Sequence, residues 1–192
     1  MEFAKSEAYR KYLIKIDLLD VVGYAIWGAD MEDEEQDKLL VKDNKLMLFP
    51  NTKGLKSHLE NVSHPYKDAL NFSKWVEEED LSHTYTEYDF LVVANYHHSI
   101  LSDKEKSLEV LSCIHLMEDF FLQIESSIVR TLFKNDDLVN LKEYIYDHFF
   151  WTPDLDDKTI LPDQKVSYIL KDIFSVFLEH VEMTPVVLDG ED

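Results

Sequence analysis

Apolar residues change their spacing once along this chain, and that change restricts its fold more than any other feature. Between Lys11 and Trp27 they alternate with polar residues, as in Ile14-Lys15-Ile16-Asp17-Leu18, and continue through Val21-Val22 and Tyr24-Ala25-Ile26-Trp27 around Gly23. Alternation with period two, in β-branched and aromatic types, marks a half-buried strand. A strand is therefore expected here, bent or broken near Asp20. After an acidic segment, Leu39-Leu40-Val41 and Leu46-Met47-Leu48-Phe49 flank Asp43-Asn44, and this pair tolerates the left-handed backbone of a tight hairpin turn. Pro50 ends the last strand.

Beyond Pro50 the spacing becomes three or four. Leu55 and Leu59 predict a short helix from about Lys53 to Asn61, capped by Asn51 or Thr52. A second opens at Pro65, with Leu70, Trp75 and Val76 as its buried face and Glu77-Glu78-Glu79-Asp80 at its end, where carboxylates oppose the helix dipole. Everything from Thr84 onward reads as helix. Thr84-Tyr85-Thr86-Glu87 and Ser102-Asp103-Lys104-Glu105 both fit the capping box, and the second starts a buried face of Leu111, Ile114, Phe121, Ile124 and Ile128 that runs on to Phe133. Asn135-Asp136 caps a helix carrying Leu138, Leu141, Ile145 and Phe149, which Trp151-Thr152-Pro153 breaks. A last helix starts at Pro162 with Val166, Ile169, Ile173 and Phe177 inward, ahead of a fraying tail with Pro185 and Gly190.

Strand-type and helix-type segments thus occupy separate stretches, which predicts an α+β fold: a small antiparallel N-terminal sheet followed by a mainly helical C-terminal two-thirds. The 192 residues fit one domain, with a sheet-containing lobe over 1–62 and a helical lobe over 63–192. Eleven Phe and ten Tyr give it a core that charge-driven disordered chains lack.

The net charge is −20, from 39 acids against 19 bases. A field of that sign attracts cationic surfaces and repels nucleic acid and anionic membranes, so neither of the latter is expected as a partner. No apolar stretch resembles a signal peptide or a membrane span, and a cytoplasmic protein is expected; the sequons at Asn61 and Asn71 are then chance matches. Cys113, the sole cysteine, sits within an apolar helical pattern and is read as a buried thiol.

Motifs for chemistry are missing. Four glycines, at 23, 28, 54 and 190, leave no phosphate-cradling loop, dinucleotide fingerprint or nucleophile elbow. His115-x-x-Glu118, Glu179-His180 and His97-His98 form no recognised metal-ligand set. Asp30-Met31-Glu32-Asp33-Glu34-Glu35 lacks the glycine that a calcium loop needs at its sixth position, and Asp154-Leu155-Asp156-Asp157 reads as solvated carboxylates. Neither an enzyme nor a cofactor is expected.

The acids themselves are clustered. Asp30, Glu32, Asp33, Glu34, Glu35 and Asp37 fall within eight residues, and no base occurs between Lys74 and Lys104, an interval holding Glu77, Glu78, Glu79, Asp80, Glu87, Asp89 and Asp103. The chain after Lys171 also lacks a base. Clustering one sign costs stability by self-repulsion, whereas solubility alone is served by mixed charge. Asp30 to Asp37, Glu77 to Asp80, Glu87 and Asp89 are accordingly the candidate partner-binding residues, set against the plain alternative of solvated faces. Trp27, Trp75, Tyr85 and Tyr88 are candidate aromatic anchors, or else core.

The strand ending Leu46-Met47-Leu48-Phe49-Pro50-Asn51, the helix with Gly54-Leu55 and His58-Leu59, then Tyr88-Asp89-Phe90-Leu91, Leu108-Glu109-Val110-Leu111 and Met117-Glu118-Asp119 follow one another in an order that resembles immunity proteins of bacterial polymorphic toxin and contact-dependent growth inhibition systems. The resemblance spans roughly the first 130 residues. It implies a cytoplasmic antidote that binds a cognate toxin's C-terminal domain, often a nuclease with a basic groove, and blocks its active site. Two alternatives remain: an acidic nucleic-acid mimic inhibiting another enzyme, and a metal-dependent hydrolase using His97, His98 or His115.

Overall fold

A computed structural model of the chain describes residues 4–34, 36–61, 63–151 and 164–185. Glu35, the break at Thr152-Pro153, the Asp154 to Asp157 carboxylates, the start at Pro162 and the tail beyond Pro185 lie outside the described residues. The fold is α+β, with most strands first and most helices after. Contacts divide the chain into two units, one running to Tyr88 and resuming at His180, the other spanning Asp89–Glu179.

In the first unit, helix α1 (Ala4–Tyr9) leads into strands β1 (Lys11–Asp17), β2 (Val22–Asp30) and β3 (Gln36–Leu39). The expected break near Asp20 is the turn between β1 and β2, which run antiparallel with Leu13 opposite Ile26. The short strands β4 (Val41–Lys42) and β5 (Lys45–Leu48) form the expected hairpin. Asp43 and Asn44 both take positive φ, 51° and 62°, as a two-residue turn matched to strand twist requires. A bridge between Tyr24 and Phe49 ties this hairpin to β2.

Two strands appear where helix was expected. Thr86–Asp89 is β6, which completes a four-stranded sheet in the order β3-β2-β1-β6, and Val181–Met183 is β7, parallel to β5 in a second sheet, β4-β5-β7. The Thr84 capping box is thus not a helix start: a partner strand distant in sequence outweighs a local capping preference. The second sheet is mixed rather than wholly antiparallel.

Helices α2 (Leu55–Asn61) and α3 (Ala69–Glu78) close one side of this unit. Leu55, Leu59, Phe72, Trp75 and Val76 pack with Leu13, Ile26, Met47 and Phe49 into one cluster. Leu70, expected inside, is 81% exposed, and Phe72 takes the buried position. The aromatic ring covers more apolar area, so the helix rotates to bury it.

The second unit holds α4 (Leu91–Ala94), α5 (Lys104–Gln123), α6 (Ser127–Phe133), α7 (Asp136–Tyr146) and α8 (Val166–Glu179). Its core is phenylalanine-rich: Phe90 stacks on Phe174 and Phe177 at 5.5 and 5.4 Å, and Phe120 meets Phe177 edge-on. Asp103, not Ser102, caps α5, its side chain accepting from the Lys106 N–H. Asn135 caps α7 as expected. The apolar face expected to run unbroken from Leu111 to Phe133 is interrupted at Glu125, whose φ of 56° ends α5 before α6 begins. No helix among the described residues is long and apolar enough to cross a membrane.

Candidate functional site

The acidic turn after β2 is built on a buried charge network. Its origin lies in Gly28, which faces Lys11 across β1 and β2. A Cβ at Gly28 would sit 2.3 Å from the Arg10 carbonyl oxygen and 2.9 Å from Cδ of Lys11, so the glycine opens the corridor through which the lysine stem passes. Lys11 is fully buried. Its ammonium donates to the Ala29 carbonyl and to Oδ2 of Asp68 at 2.9 Å, and lies 4.8 Å from the centre of the Tyr66 ring.

Asp30, at the end of β2, is also fully buried. Its Oδ2 accepts from Nζ of Lys38 and from the backbone N–H of Lys67, both at 2.7 Å, while Oδ1 accepts from the N–H groups of Glu32 and Asp68. Burial works to raise its pKa, but the bonds from Lys38, Lys67 and Glu32 outweigh it and hold the carboxyl at about 2. Lys38 also donates to Asp33 at 2.7 Å, and Lys67 reaches the other Asp33 oxygen. These two lysines lower the Asp33 pKa.

Three carboxylates (Asp30, Asp33, Asp68) thus meet three ammonium groups (Lys11, Lys38, Lys67). A buried ion costs several kcal/mol in desolvation, and only such dense pairing offsets it. The network is therefore a brace: it pins the turn to the 66–68 segment, and it removes Asp30 from any partner-facing surface. Glu32 and Glu34 remain exposed and have no ion pair among the described residues, and Asp37 is exposed on β3.

The acids that close α3 divide in the same way. Glu78 accepts from Lys5 and from the Tyr9 hydroxyl, and Glu79, buried, accepts from Ser6 Oγ at 2.6 Å. Together they fasten α1 to α3. The Ser6 oxygen in turn accepts from the Trp75 indole N–H at 3.2 Å. Glu77 and Asp80 are exposed, Asp80 accepting from the Ser82 N–H. On β6, Glu87 pairs with Lys15 at 2.8 Å, and Asp89 accepts from the Leu91 N–H. Lysines 5, 11, 15, 38 and 67 do much of this neutralising, and their placement depends on tertiary contacts that charge runs do not reveal.

Of the aromatic candidates, Trp75 is core. Trp27 is half-buried and packs on Tyr12 at 5.4 Å, and Tyr12 packs on Tyr85 at 4.4 Å, giving an aromatic row across the sheet; Tyr88 is half-buried. The Tyr85 hydroxyl donates to Glu7 at 2.7 Å, and that bond is the main cause of a phenol pKa raised to about 12.

Two of the histidines considered for metal have other partners. His97 meets Ser99 Oγ through Nδ1, and His115 meets the Tyr146 hydroxyl through Nε2, while Glu118 accepts from Lys142. Among the described residues no three His, Cys, Asp or Glu side chains are placed to share a metal ion. Cys113 is buried and its pKa is pushed well up by burial.

No protein-family model matches this chain, and no curated protein matches it significantly. Among solved structures it is similar to the crystal structure of the SatS C-terminal domain in complex with bromine, with a TM-score of 0.64 over 93% of this chain and 96% of that one. The identity is 12%, so the likeness is one of fold.

Proposed function

We propose that the chain is an immunity protein that acts in the cytoplasm, binding the basic cytotoxic domain of a cognate toxin and covering its active site without catalysis of its own. The observation that carries this reading is the braced acidic turn. The buried network around Asp30 and Asp33 fixes the backbone of residues 30–33, so the exposed Glu32, and Glu34 beside Asp33, are presented with less backbone entropy left to lose on binding. Asp37, on β3 just beyond the turn, is exposed as well. A net charge of −20 supplies long-range attraction to a cationic groove. The order of sequence features that resembles immunity proteins supplies the partner class.

The test is co-expression with the product of the neighbouring gene, followed by kinetics of the purified pair. The double variant Glu32→Lys with Glu34→Lys is expected to slow association about tenfold at low salt and to change dissociation little, the difference shrinking as salt rises. Unchanged association, or a gene neighbourhood with no basic partner that co-purifies, overturns the reading.

A further inference from the structure

The turn that joins β1 to β2 combines exposure with strain. Leu18 and Val21 close it, the Leu18 N–H donating to the Val21 carbonyl at 2.8 Å, so Leu19 and Asp20 form a two-residue hairpin loop. Leu19 holds a φ of 72°, and the Asp20 N–H turns back onto the Leu18 carbonyl at 2.9 Å. A hydrogen bond that spans two residues across a centre of positive φ makes a γ-turn of the rare, strained kind. Glycine is the ordinary occupant of a loop position with positive φ, because a Cβ there crowds its own backbone. Here the carboxylate of Asp17 accepts from the Leu19 N–H at 3.2 Å and helps to hold the strained residue in place.

The side chains displayed there are apolar. Leu19, Val21 and Val22 are 43%, 36% and 45% exposed. Single apolar residues are common on protein surfaces, but these three fall within one four-residue stretch at the tip of a hairpin. Leu19 therefore carries two costs, strain and contact with water, while standing outside the buried core. Glycine or asparagine would avoid both. A residue that breaks a local rule with no gain inside the fold is a candidate for use by a partner.

From these observations we infer that the β1–β2 turn is an apolar anchor for a cationic protein surface, that of the toxin domain, an assignment that rests on the immunity reading. Charge selects among the occupants. No Lys or Arg occurs between Lys15 and Lys38, an interval that holds Asp17 and Asp20 at the tip, and Lys15 itself is paired with Glu87. An apolar tip set among carboxylates is repelled by a second copy of so acidic a chain and by an anionic bilayer, and is attracted by an apolar pocket with a basic rim. The position also suits a single interface. Strand β2 begins at the tip and ends at the acidic turn, about 27 Å away by the rise of a strand. One partner's share of a standard interface, about 800 Å², is about 30 Å across and reaches both. Glu32 and Glu34 then steer the encounter, and Leu19 holds the docked pair.

The full chain and its Leu19→Gly and Val22→Thr variants are compared by binding kinetics with the toxin domain encoded by the neighbouring gene, at low and high salt. Leu19→Gly is expected to speed dissociation about tenfold and Val22→Thr about threefold, with association and its salt dependence unchanged, the opposite of the pattern expected for Glu32→Lys with Glu34→Lys. Alone, Leu19→Gly is expected to melt no lower than the parent, because glycine relieves the positive φ. Parent-like dissociation of both variants overturns the anchor and leaves the immunity reading standing, whereas a parent that captures no toxin domain overturns both. A fall of several degrees in the Leu19→Gly melt would mean that the fold itself uses the side chain, and overturns the anchor. Self-association of the parent, or its binding to phosphatidylcholine vesicles, overturns it too if Leu19→Gly abolishes that behaviour.

Discussion

Replacing Asp30 by Asn removes one charge at the centre of the buried network while keeping the side chain's shape. Its carboxyl is held at about 2 against an ordinary 3.8, and that difference corresponds to about 2 kcal/mol of stability at neutral pH. The amide that replaces one oxygen is a donor, and each carboxylate oxygen accepts two N–H groups, so at least one buried donor loses its acceptor. With a donor left unpaired and Lys38 uncompensated, the expected cost is about 3 to 5 kcal/mol, the usual range for removing one partner from a buried ion pair. Urea unfolding at pH 7, followed by tryptophan fluorescence, is expected to show a lower midpoint with an unchanged slope. The pH dependence follows from the sign of the shift. A lowered carboxyl contributes fully above pH 3.8 and loses its contribution as the pH falls through about 2, so the gap between parent and variant narrows over that interval. A loss below about 1 kcal/mol at pH 7, or a gap that stays constant down to pH 2, would refute the brace.

Two further outcomes test other buried contacts. Ser6→Ala leaves the Trp75 indole N–H and a Glu79 oxygen without their shared partner, and is expected to cost about 1 to 3 kcal/mol, read as a fall of several degrees in a thermal melt; an unchanged melting temperature would mean that α1 is not fastened through Ser6. Cys113 is buried with a raised pKa, so a thiol reagent at pH 8 is expected to label it only after denaturant is added, and rapid labelling of the native protein would contradict its placement.

Local signals identified most elements. Asp43-Asn44 marked a turn because few residues tolerate positive φ at two successive positions, and Asn135 marked a helix start because its side chain caps the next turn. Leu111, Ile114 and Phe121 carried the helical period of α5 plainly. What stayed hidden depends on distant partners. Strand β6 pairs with β1, about 70 residues earlier, and its first two residues, Thr86 and Glu87, also fell within the capping pattern that starts at Thr84. The candidate site shows the same limit more sharply. Asp30 and Glu32 look alike in sequence, yet one is buried between Lys38 and two backbone N–H groups from the 67–68 segment and the other faces solvent. Nothing in the acidic run itself states that Lys67 returns to neutralise Asp33.

The parallel pairing of β7 with β5 has a consequence for synthesis. The chain emerges from the ribosome in order, so every residue of Asp89–Glu179 is made before Val181–Met183 exists. Until then β5 has β4 on one side and an open edge on the other, with Leu46, Met47 and Leu48 along it. An open apolar edge is a template for unwanted pairing, and only the last strand closes it. The first unit to begin folding is therefore the last to be finished, and the nascent protein is most exposed to aggregation while its second unit is being made.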